Sequence, residues 1–326
     1  MVNWIQVDHF IAQLGFYLTT ISQFTVIFLT LFFVKRDFGS YKYLIIIFSS
    51  IGIMFASLEF ILFPILHSYN GGYMYFTATR PLGASSYFVE IFMLVQGALY
   101  SSTIALLAVQ FIYRYVTVFK SQKLYYFHGF YLFFWILYVI WFAFEWAMGL
   151  HYFASLDDYS IEYMRAEMND FYGLDIDQTT NFIVVVYESI PHSKNAKVRW
   201  WNLCCTFNMT FVMCFQYLIM IYCGRQLYYD MNEKISNLSK QLRKLHRQIF
   251  KTLVLQITTP TIVLFSPLVF TLYAPLFDLR LSIPTGVFLS GFTLYPALDA
   301  FILMYVITDY RKAFQNITLS RRSRSH

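Results

Sequence analysis

Residues 88–115 read FVEIFMLVQGALYSSTIALLAVQFIYRY, and this stretch decides the fold of the chain. Before its terminal arginine, the only charged residue in it is Glu90, close to the start. An uncharged stretch of about 18 or more apolar residues can cross the roughly 30 Å hydrocarbon core of a bilayer as one helix. The stretch therefore predicts a membrane-spanning helix, and Arg114, framed by Tyr113 and Tyr115, marks its end.

The composition predicts that the whole chain is built from such helices. Of 326 residues, 58% are hydrophobic and 13% are charged, whereas soluble domains carry about 25% charged residues. We expect an all-α membrane protein, with one seven-transmembrane domain over 1–326 that ends in a short basic tail over 308–326. The seven predicted spans are, in order, about 11–34, 43–66, 88–113, 130–150, 202–223, 252–273 and 283–307.

The basic residues predict the orientation of the bundle. If the N-terminus lies outside, 18 of the 24 Lys and Arg residues fall in the inner loops and the tail, and 6 fall outside. Basic residues concentrate in the cytoplasmic loops of membrane proteins. We therefore expect an extracellular N-terminus and a cytoplasmic C-terminus. The net charge of +6 then faces the anionic lipid of the bilayer, and no nucleic-acid partner is indicated.

The residue inventory does not support an enzyme, a metal site or a cofactor. The seven histidines are scattered over loops and span edges, and no GxxxxGK[ST], HExxH or GxSxG motif occurs. All four cysteines lie in the fifth predicted span, so no disulfide framework is expected in the outer loops. We expect no catalysis, no cofactor and no metal.

Two connecting loops have a distinctive composition. The second outer loop, about 151–201, contains eight acidic residues. In the third inner loop, about 224–251, apolar residues recur at spacings of three and four, which predicts an amphipathic helix. On the plain interpretation, the sixth span simply extends into the cytosol as this helix. The alternative adds binding of a cytoplasmic partner, with Arg243 and Arg247 as candidate contacts.

Prolines predict where the spans bend. Pro260 and Pro267 lie seven residues apart in the sixth span, and each removes a backbone hydrogen bond. Pro296 lies in the YPALDAF motif of the seventh span, three residues before Asp299, which is expected to form a polar latch between helices. The prolines either bend the helices or act as hinges that let the cytoplasmic half of the sixth span swing.

A ligand cavity is expected between the outer halves of spans two, three, five, six and seven. Its candidate residues are mostly aromatic, with isolated hydrogen-bonding groups and no basic residue: Glu59, Gln96, Tyr100, Phe207, Thr271, Phe288 and Phe292. Glu59 has the depth of the cavity floor, where it acts either on the ligand or as a structural hydrogen-bond partner. Such a pocket gains mainly from apolar burial and offers an anion no partner. The pattern predicts a small, neutral or weakly basic, mostly apolar ligand.

Arg114 lies at the inner mouth of the third span and allows two interpretations. Its side chain can extend to the lipid phosphates and anchor the helix. Alternatively, in a seven-helix receptor that opens an inner cleft, Arg114 contacts the partner that enters this cleft.

Several separate segments resemble the nematode chemoreceptors of the serpentine receptor class r (Str) family. The likeness covers nearly all of residues 10–315, in the right order and spacing. The segments are KRDFGSYKYLIIIFS (35–49), FPILHSY (63–69), ALLAVQFIYRY (105–115), QIFKTLVLQITTPTIVLFSPLV (248–269) and YPALDAFILMYVITDYRKAF (295–314).

This resemblance implies a G-protein-coupled receptor for odorants or other small molecules in the plasma membrane, in the sensory cilia of chemosensory neurons. By the same likeness, Tyr113-Arg114-Tyr115 stands where other seven-helix receptors carry a D/E-R-Y/F motif, here without the acidic residue. The family usually has a proline where this chain has Ala300. The cysteines that link the third helix to the second outer loop in rhodopsin-like receptors are also absent.

We therefore expect a chemosensory receptor that transmits ligand binding in an outward cavity to a cytoplasmic heterotrimeric G protein. The alternative is a seven-helix ligand-gated cation channel of the insect odorant-receptor kind. Those channels have a cytosolic N-terminus, which the distribution of basic residues opposes. A transporter would show internal repeats or charge pairs within spans, and neither is visible in the sequence.

Overall fold

The protein is a bundle of membrane-length helices with a small β-sheet at one end. A computed structural model describes residues 4–33, 41–154, 156–189, 196–236, 239–278 and 281–313. The helices are α1 (Trp4–Phe32), α2 (Tyr41–Leu62), α3 (Ser86–Phe119), α4 (Tyr131–Phe153), α5 (Asp158–Glu167), α6 (Trp200–Lys234), α7 (Lys240–Pro260), α8 (Ser266–Tyr273), α9 (Gly286–Gly291) and α10 (Leu294–Val306). The strands are β1 (Ile65–Tyr69), β2 (Gly72–Thr77), β3 (Thr180–Val185), β4 (Tyr187–Ser189), β5 (Ala196–Val198) and β6 (Ser282–Ile283).

These helices account for seven crossings of a membrane. Helices α1, α2, α3, α4 and α6 and the segment Gly286–Val306, which joins α9 to α10, are each long and apolar enough to cross a bilayer. The remaining crossing is interrupted, because α7 is followed by a π-helical turn over Thr261–Phe265 before α8 begins. The predicted seven-helix membrane fold is confirmed, and the interrupted crossing is the one predicted at about 252–273.

The prolines explain where two crossings are interrupted. A proline lacks the N–H that an interior helical residue donates, and Pro260 is the last residue of α7. Pro267 lies in the first turn of α8, where an N–H has no helical partner in any case. The π-helical turn fills the gap between them. Pro296 likewise lies in the first turn of α10, so the last crossing breaks just before it, at residues 292–293.

The second crossing is shorter than predicted. Helix α2 ends at Leu62, whereas the predicted span runs to about residue 66. The next residue, Phe63, has a left-handed backbone conformation with φ 44° and precedes Pro64. Because the residue before a proline is disfavoured in the helical region, the helix stops here. The chain then enters β1.

A four-stranded antiparallel sheet lies at the end of the bundle where α2 ends, and the sequence analysis did not predict it. Strands β1 and β2 form a hairpin, β3 pairs with β2, and β6 pairs with β1. The strand order is therefore β3-β2-β1-β6. Asn70 and Gly71 form the hairpin turn, and Asn70 has φ 48°. An Asn-Gly pair between two strands is a strong hairpin signal that the sequence analysis missed.

Both faces of this sheet are buried, because successive side chains of a strand point to opposite faces. Tyr73 and Phe182 point towards the helices and belong to the main core. Met74 and Ile183 point away from the helices and form a second core with Met164 of α5. Strands β1, β2, β3 and β6, together with the segment 158–178 that lies over them, are named the cap. The end of the bundle that carries them is the cap end.

The opposite end of the bundle, where α6 ends and α7 begins, is named the basic end. Helix α7 starts after Ser239, whose hydroxyl accepts a hydrogen bond from the Leu242 N–H at 3.3 Å. The predicted amphipathic extension of the sixth span is present from Lys240 onwards, because α7 runs without a break from the loop into the sixth crossing. Only the start of the predicted apolar stripe is corrected, since Ile235 lies in the turn after α6, before α7 begins.

The predicted tail is partly described. Residues 308–313 are helical, and the remaining residues of the predicted tail lie outside the described part of the chain. The hydroxyl of Tyr310 lies 2.7 Å from that of Thr30 in α1, and both residues are buried. The start of the tail therefore packs beneath the bundle at the basic end.

Candidate functional site

An internal cavity lies directly beneath the sheet at the cap end. It offers about 70 Å³ to the centres of water-sized molecules. Its wall combines side chains from α2, α3, α4, α6, α8, α9 and the sheet, and most of these are apolar. The aliphatic and phenyl part of the wall includes Phe55, Leu66, Leu150, Met209, Leu268 and Leu272.

Gly97 of α3 keeps part of this cavity open. A Cβ atom at this position would lie 3.2 Å from the indole ring of Trp146, which also lines the cavity. That distance is tighter than an ordinary van der Waals contact, so a side chain here would have to displace the ring or fill the space in front of it. The glycine therefore contributes empty volume to the site.

A chain of hydrogen bonds occupies most of the polar groups near the cavity. The Tyr75 hydroxyl of β2 donates to Oε1 of Gln96 at 3.1 Å. The Gln96 amide donates in turn to Oε2 of Glu59, and Ser290 of α9 also hydrogen-bonds the Glu59 carboxyl. Both ends of the Gln96 amide are therefore already used, and Glu59 lies behind Gln96 instead of in the cavity wall.

Tyr100 brings a free polar group to the cavity. Its hydroxyl is buried and has no hydrogen-bond partner among the described residues. Its ring is held between Phe292, stacked at 5.4 Å between centroids, and Trp146, at 5.3 Å. Because a buried hydroxyl without a partner is unfavourable, this group is suited to bind a hydrogen-bonding atom of a ligand.

The structure brings some of the predicted ligand-binding residues together and separates others. Gln96, Tyr100 and Phe292 line the cavity, and Glu59 contacts Gln96 from behind. Thr271 is buried but lies outside the cavity wall.

The predicted location of two residues in the cavity wall is corrected, because their side chains are exposed on the outside of the bundle. Phe207 and Phe288 are 51% and 45% exposed on the outside of the bundle, and neither lines the cavity. The reason is the helical phase: Phe207 precedes the cavity residue Met209 by two positions, which is about 200° around a helix. Sequence reasoning also missed Leu66 and Tyr73, which reach the cavity from the sheet. The Asn-Gly hairpin signal pointed to these strands.

At the basic end, Arg114 is buried at 6% exposure instead of extending to the lipid surface. Its guanidinium carbon lies 3.8 Å above the centre of the Tyr41 ring and 5.4 Å from that of Tyr113. Nε and Nη2 have no hydrogen-bond partner among the described residues. The interpretation of Arg114 as a lipid anchor is therefore corrected, because the side chain is covered by tyrosine rings.

The flanking tyrosines have different surroundings. Tyr113 is buried, and its ring lies edge-on to Phe127 at 5.0 Å. Tyr115 is half-buried and faces Phe119 and Tyr222, so only Tyr113 takes part in covering the arginine.

Helix α7 lies close to Arg114 on the other side. Burial, and to a smaller extent the charge of Arg114, lower the pKa of His246 to about 4, so His246 is neutral at pH 7. Arg243 and Arg247, the two candidate partner contacts, lie in the same part of α7 and line a groove together with three lysines. Helix α7 thus carries basic residues at the same end of the bundle as the covered arginine.

Packed rings connect the cavity to the π-helical turn. Tyr100 contacts Phe265, the last residue of this turn, at 5.9 Å between ring centroids. Phe265 in turn lies edge-on to Tyr217 of α6 at 5.2 Å. Ring contacts therefore join the cavity wall to the interruption of the sixth crossing.

Asp299 forms the expected latch between the last two crossings. Its carboxyl is buried and accepts a hydrogen bond from Gln256 of α7. The Tyr295 hydroxyl donates to the Gln256 carbonyl at 3.2 Å. These bonds hold the end of α7 against α10, one turn before the interruption.

The seven-helix membrane bundle, with a cavity at one end and a covered arginine at the other, has the architecture of a seven-transmembrane receptor. The sequence profile described as "Serpentine type 7TM GPCR chemoreceptor Str" matches residues 8–315. The chain belongs to this Str family of chemoreceptors. It is a chemosensory G-protein-coupled receptor and a multi-pass membrane protein, and its family is a receptor family, not an enzyme family.

Similar receptors are found in nematodes. The chain is 35% identical over 323 residues to "G-protein coupled receptor str-33" of Caenorhabditis elegans, which covers 99% of this chain and 94% of that receptor. It is 29% identical over 288 residues to "Serpentine receptor class r-10" of the same organism, covering 88% of this chain and 84% of that one. The receptor of the same name in Caenorhabditis briggsae is 27% identical over 325 residues. The family resemblance expected from the sequence is confirmed, and the ion-channel alternative is not favoured.

Proposed function

We propose that the receptor responds to a small, neutral, mostly apolar compound that binds in the cavity beneath the sheet. The observation that carries this proposal is a mostly apolar wall that includes Tyr100, whose buried hydroxyl has no hydrogen-bond partner among the described residues. Glu59 is separated from the cavity by Gln96, which favours a neutral ligand over a weakly basic one. A compound with one hydrogen-bonding atom and a compact apolar body fits this arrangement.

The cap end is proposed to face the extracellular side, with the N-terminus outside and the C-terminus in the cytosol. The uneven distribution of basic residues between the loops supports this orientation. Epitope tags at Asn3 and His326 test it: the first should stain in intact cells and the second only after permeabilisation. Staining of the Asn3 tag only after permeabilisation would contradict both the orientation and an extracellular cavity.

The basic end is proposed to bind the heterotrimeric G protein. In this account the ligand shifts the Tyr100 and Phe265 rings, α7 swings at the π-helical turn, and Arg114 is uncovered for the partner. Arg243 and Arg247 on α7 then contribute basic contacts. The buried, poorly hydrogen-bonded guanidinium supports this role, since movement of its covering groups gives it new partners.

The receptor is proposed to act in the plasma membrane of the sensory cilia of chemosensory neurons, which is where a receptor for external small molecules meets its ligand. Its membership of a chemoreceptor family supports this location.

A ligand panel tests the proposed function. Cells that express the full chain are exposed to neutral apolar compounds, organic acids and sugars, and G-protein activation is recorded against cells without the receptor. We expect responses only to members of the neutral apolar set. Responses confined to acids or sugars would contradict the proposed cavity, and a ligand-gated current without any G protein would revive the channel alternative.

A further inference from the structure

We propose that the ligand reaches the cavity from the bilayer, through the seam between α6 and the interrupted crossing formed by α7 and α8. This inference rests on the proposed binding of an apolar ligand in the cavity. It adds the path by which the ligand arrives.

The cap covers the direct path from the water. On the outer face of the sheet, the buried imidazole of His67 bonds Glu167 at 2.9 Å and the Tyr172 hydroxyl at 3.0 Å. Ser282 of β6 donates to the same Glu167 oxygen. Lifting the cap would break these bonds and expose the second core, so opening towards the water disturbs two buried layers.

Most neighbouring helices of the bundle pack closely against one another. The neighbouring pairs α1–α2, α2–α3, α3–α4, α4–α6, α7–α10 and α10–α1 approach repeatedly within 8 Å between Cα atoms. Among the described residues, α6 has no comparable approach to α7 or α8. The described backbones at this seam therefore stand further apart than those of the closely packed pairs.

Two hydrogen bonds bridge the seam. The Tyr273 hydroxyl lies 2.8 Å from that of Thr210, and the Tyr217 hydroxyl lies 3.0 Å from that of Thr261. Each threonine already donates to a carbonyl of its own helix, so each tyrosine is the donor across the seam. Along α6 the two bridges are seven residues apart, about 10 Å.

The cavity wall on this side consists of aliphatic side chains. Met209 of α6 and Leu268 and Leu272 of α8 line the cavity next to the seam. Such side chains change rotamer without breaking a hydrogen bond, and methionine is especially adaptable. An apolar compound of modest size can therefore pass between the two bridges when these side chains move.

The bilayer also supplies the ligand at a raised concentration. Each methylene group of a compound increases its partition from water into an apolar phase about fourfold.

Hydrogen bonds between helices inside a membrane are weak. Loss of one bridge should therefore open the seam about threefold more often.

A cysteine-labelling experiment tests this route without a known ligand. Leu150 of α4 lines the cavity and is buried on the side away from the seam. The full receptor in lipid vesicles carries Leu150→Cys together with Cys204→Ala and Cys214→Ala, since these are the two native cysteines that are not buried. The probes are N-ethylmaleimide, which is neutral and lipid-soluble, and a charged trimethylammonium methanethiosulfonate added outside. Intact-protein mass spectrometry gives the initial labelling rates.

We expect the maleimide, and not the charged reagent, to label position 150. Tyr273→Phe and Tyr217→Phe should each raise the maleimide rate about threefold, and together about tenfold. Tyr305→Phe removes a hydroxyl from a tyrosine that is 74% exposed on α10 and should leave the rate unchanged. Glu167→Ala, which weakens the cap, should also leave it unchanged.

Faster labelling in Glu167→Ala with unchanged rates in the tyrosine variants would overturn the proposal and place the route through the cap. Unchanged rates in all variants, or equal reaction of the charged reagent, would overturn it as well. If a tyrosine variant does not purify as a folded protein, Thr210→Val and Thr261→Val remove the same bridges from the other side. Because labelling needs neither agonist nor G protein, its failure leaves the receptor function standing.

Discussion

The buried polar groups at the two ends of the bundle differ in how many of their hydrogen bonds are made. Beneath the cap, Tyr75, Gln96 and Glu59 form a hydrogen-bonded chain, and the Tyr100 hydroxyl is left free in the cavity wall. At the basic end, a whole guanidinium is buried against tyrosine rings, with two of its nitrogens unpartnered among the described residues. In the proposed function, the cap end holds the ligand and the basic end changes conformation.

The energies involved support this difference. Leaving a charge buried after its partner is lost destabilises a protein by about 3–5 kcal/mol. A desolvated cation–π contact returns about 2 kcal/mol. The contacts of Arg114 with the tyrosine rings offset only part of the free-energy cost of burying its charge. A conformation that gives the guanidinium better hydrogen-bond partners is therefore favoured once these rings move away.

The largest expected effect is at the cavity. Gly97→Leu places a side chain where a Cβ atom already approaches Trp146 to 3.2 Å. Overpacking of this kind should lower agonist potency roughly 100-fold, measured as the concentration for half-maximal G-protein activation. Gly291→Leu is the matched control, because a Cβ atom at that helical glycine meets nothing within 4 Å. Equal losses in both variants would show that the cavity is not the ligand site.

The next prediction concerns the cover at the basic end. Tyr41→Leu removes the ring over the Arg114 guanidinium and should raise ligand-independent G-protein activation about tenfold, which corresponds to about 1.4 kcal/mol. Tyr43→Leu, two residues away on α2 and 57% exposed, should have no effect. Unchanged basal activation in Tyr41→Leu at matched surface level would mean that the ring does not restrain the receptor.

A smaller effect is expected from the free hydroxyl at the cap end. Tyr100→Phe keeps the ring between Phe292 and Trp146 but removes the hydrogen bond to the ligand, which should lower potency about threefold to tenfold. Tyr138→Phe, which removes a hydroxyl that donates to Gln216 at 2.6 Å, serves as the control. A Tyr100→Phe receptor with unchanged potency for a hydrogen-bonding agonist would remove the main support for the proposed ligand class.

The smallest effect is the pH dependence of the cap. Burial raises the pKa of Glu167, but hydrogen bonds from His67 and Ser282 and the charge of His67 outweigh it and hold the pKa below the usual 4.5. A carboxyl with a lowered folded-state pKa stabilises the fold above pH 4.5, and this stabilisation is lost as the pH falls through the folded-state pKa. Between pH 6 and pH 3.5, the thermal unfolding midpoint of the unsubstituted receptor should therefore fall by about 1 °C more than that of the Glu167→Gln variant. Parallel profiles would contradict this prediction.

The sequence was sufficient to predict the membrane helices, because long uncharged stretches and proline positions act locally, and the class of receptor was predicted from the resemblance to the Str family. The π-helical turn follows this rule, since Pro260 and Pro267 bracket it. The sheet was missed because β1 was read as the apolar end of a span. Only pairing with β2 and with β6, which lies near the other end of the chain, makes it a strand.

The site was only partly predictable for a related reason. Apolar side chains surround every membrane helix, so hydrophobicity does not distinguish the lipid face from the cavity face. Phe207 and Phe288 were therefore assigned to the wrong side, whereas Gln96 and Tyr100 were placed correctly because polar groups face the bundle interior. The cover of Arg114 by Tyr41 depends on how α2 and α3 pack, which the local sequence does not encode.

The most direct test of the account is G-protein nucleotide exchange by Arg114→Ala at matched surface level, measured together with agonist binding. We predict that exchange falls at least about tenfold, that agonist affinity is unchanged, and that thermal stability is unchanged or higher, because a buried, poorly paired charge has been removed. The control is Arg225→Ala, at an exposed arginine of α6 near the same end of the bundle. This variant should promote nucleotide exchange on the G protein at the normal rate. Normal exchange in Arg114→Ala would contradict the claim that ligand binding at the cap end is transmitted to this arginine.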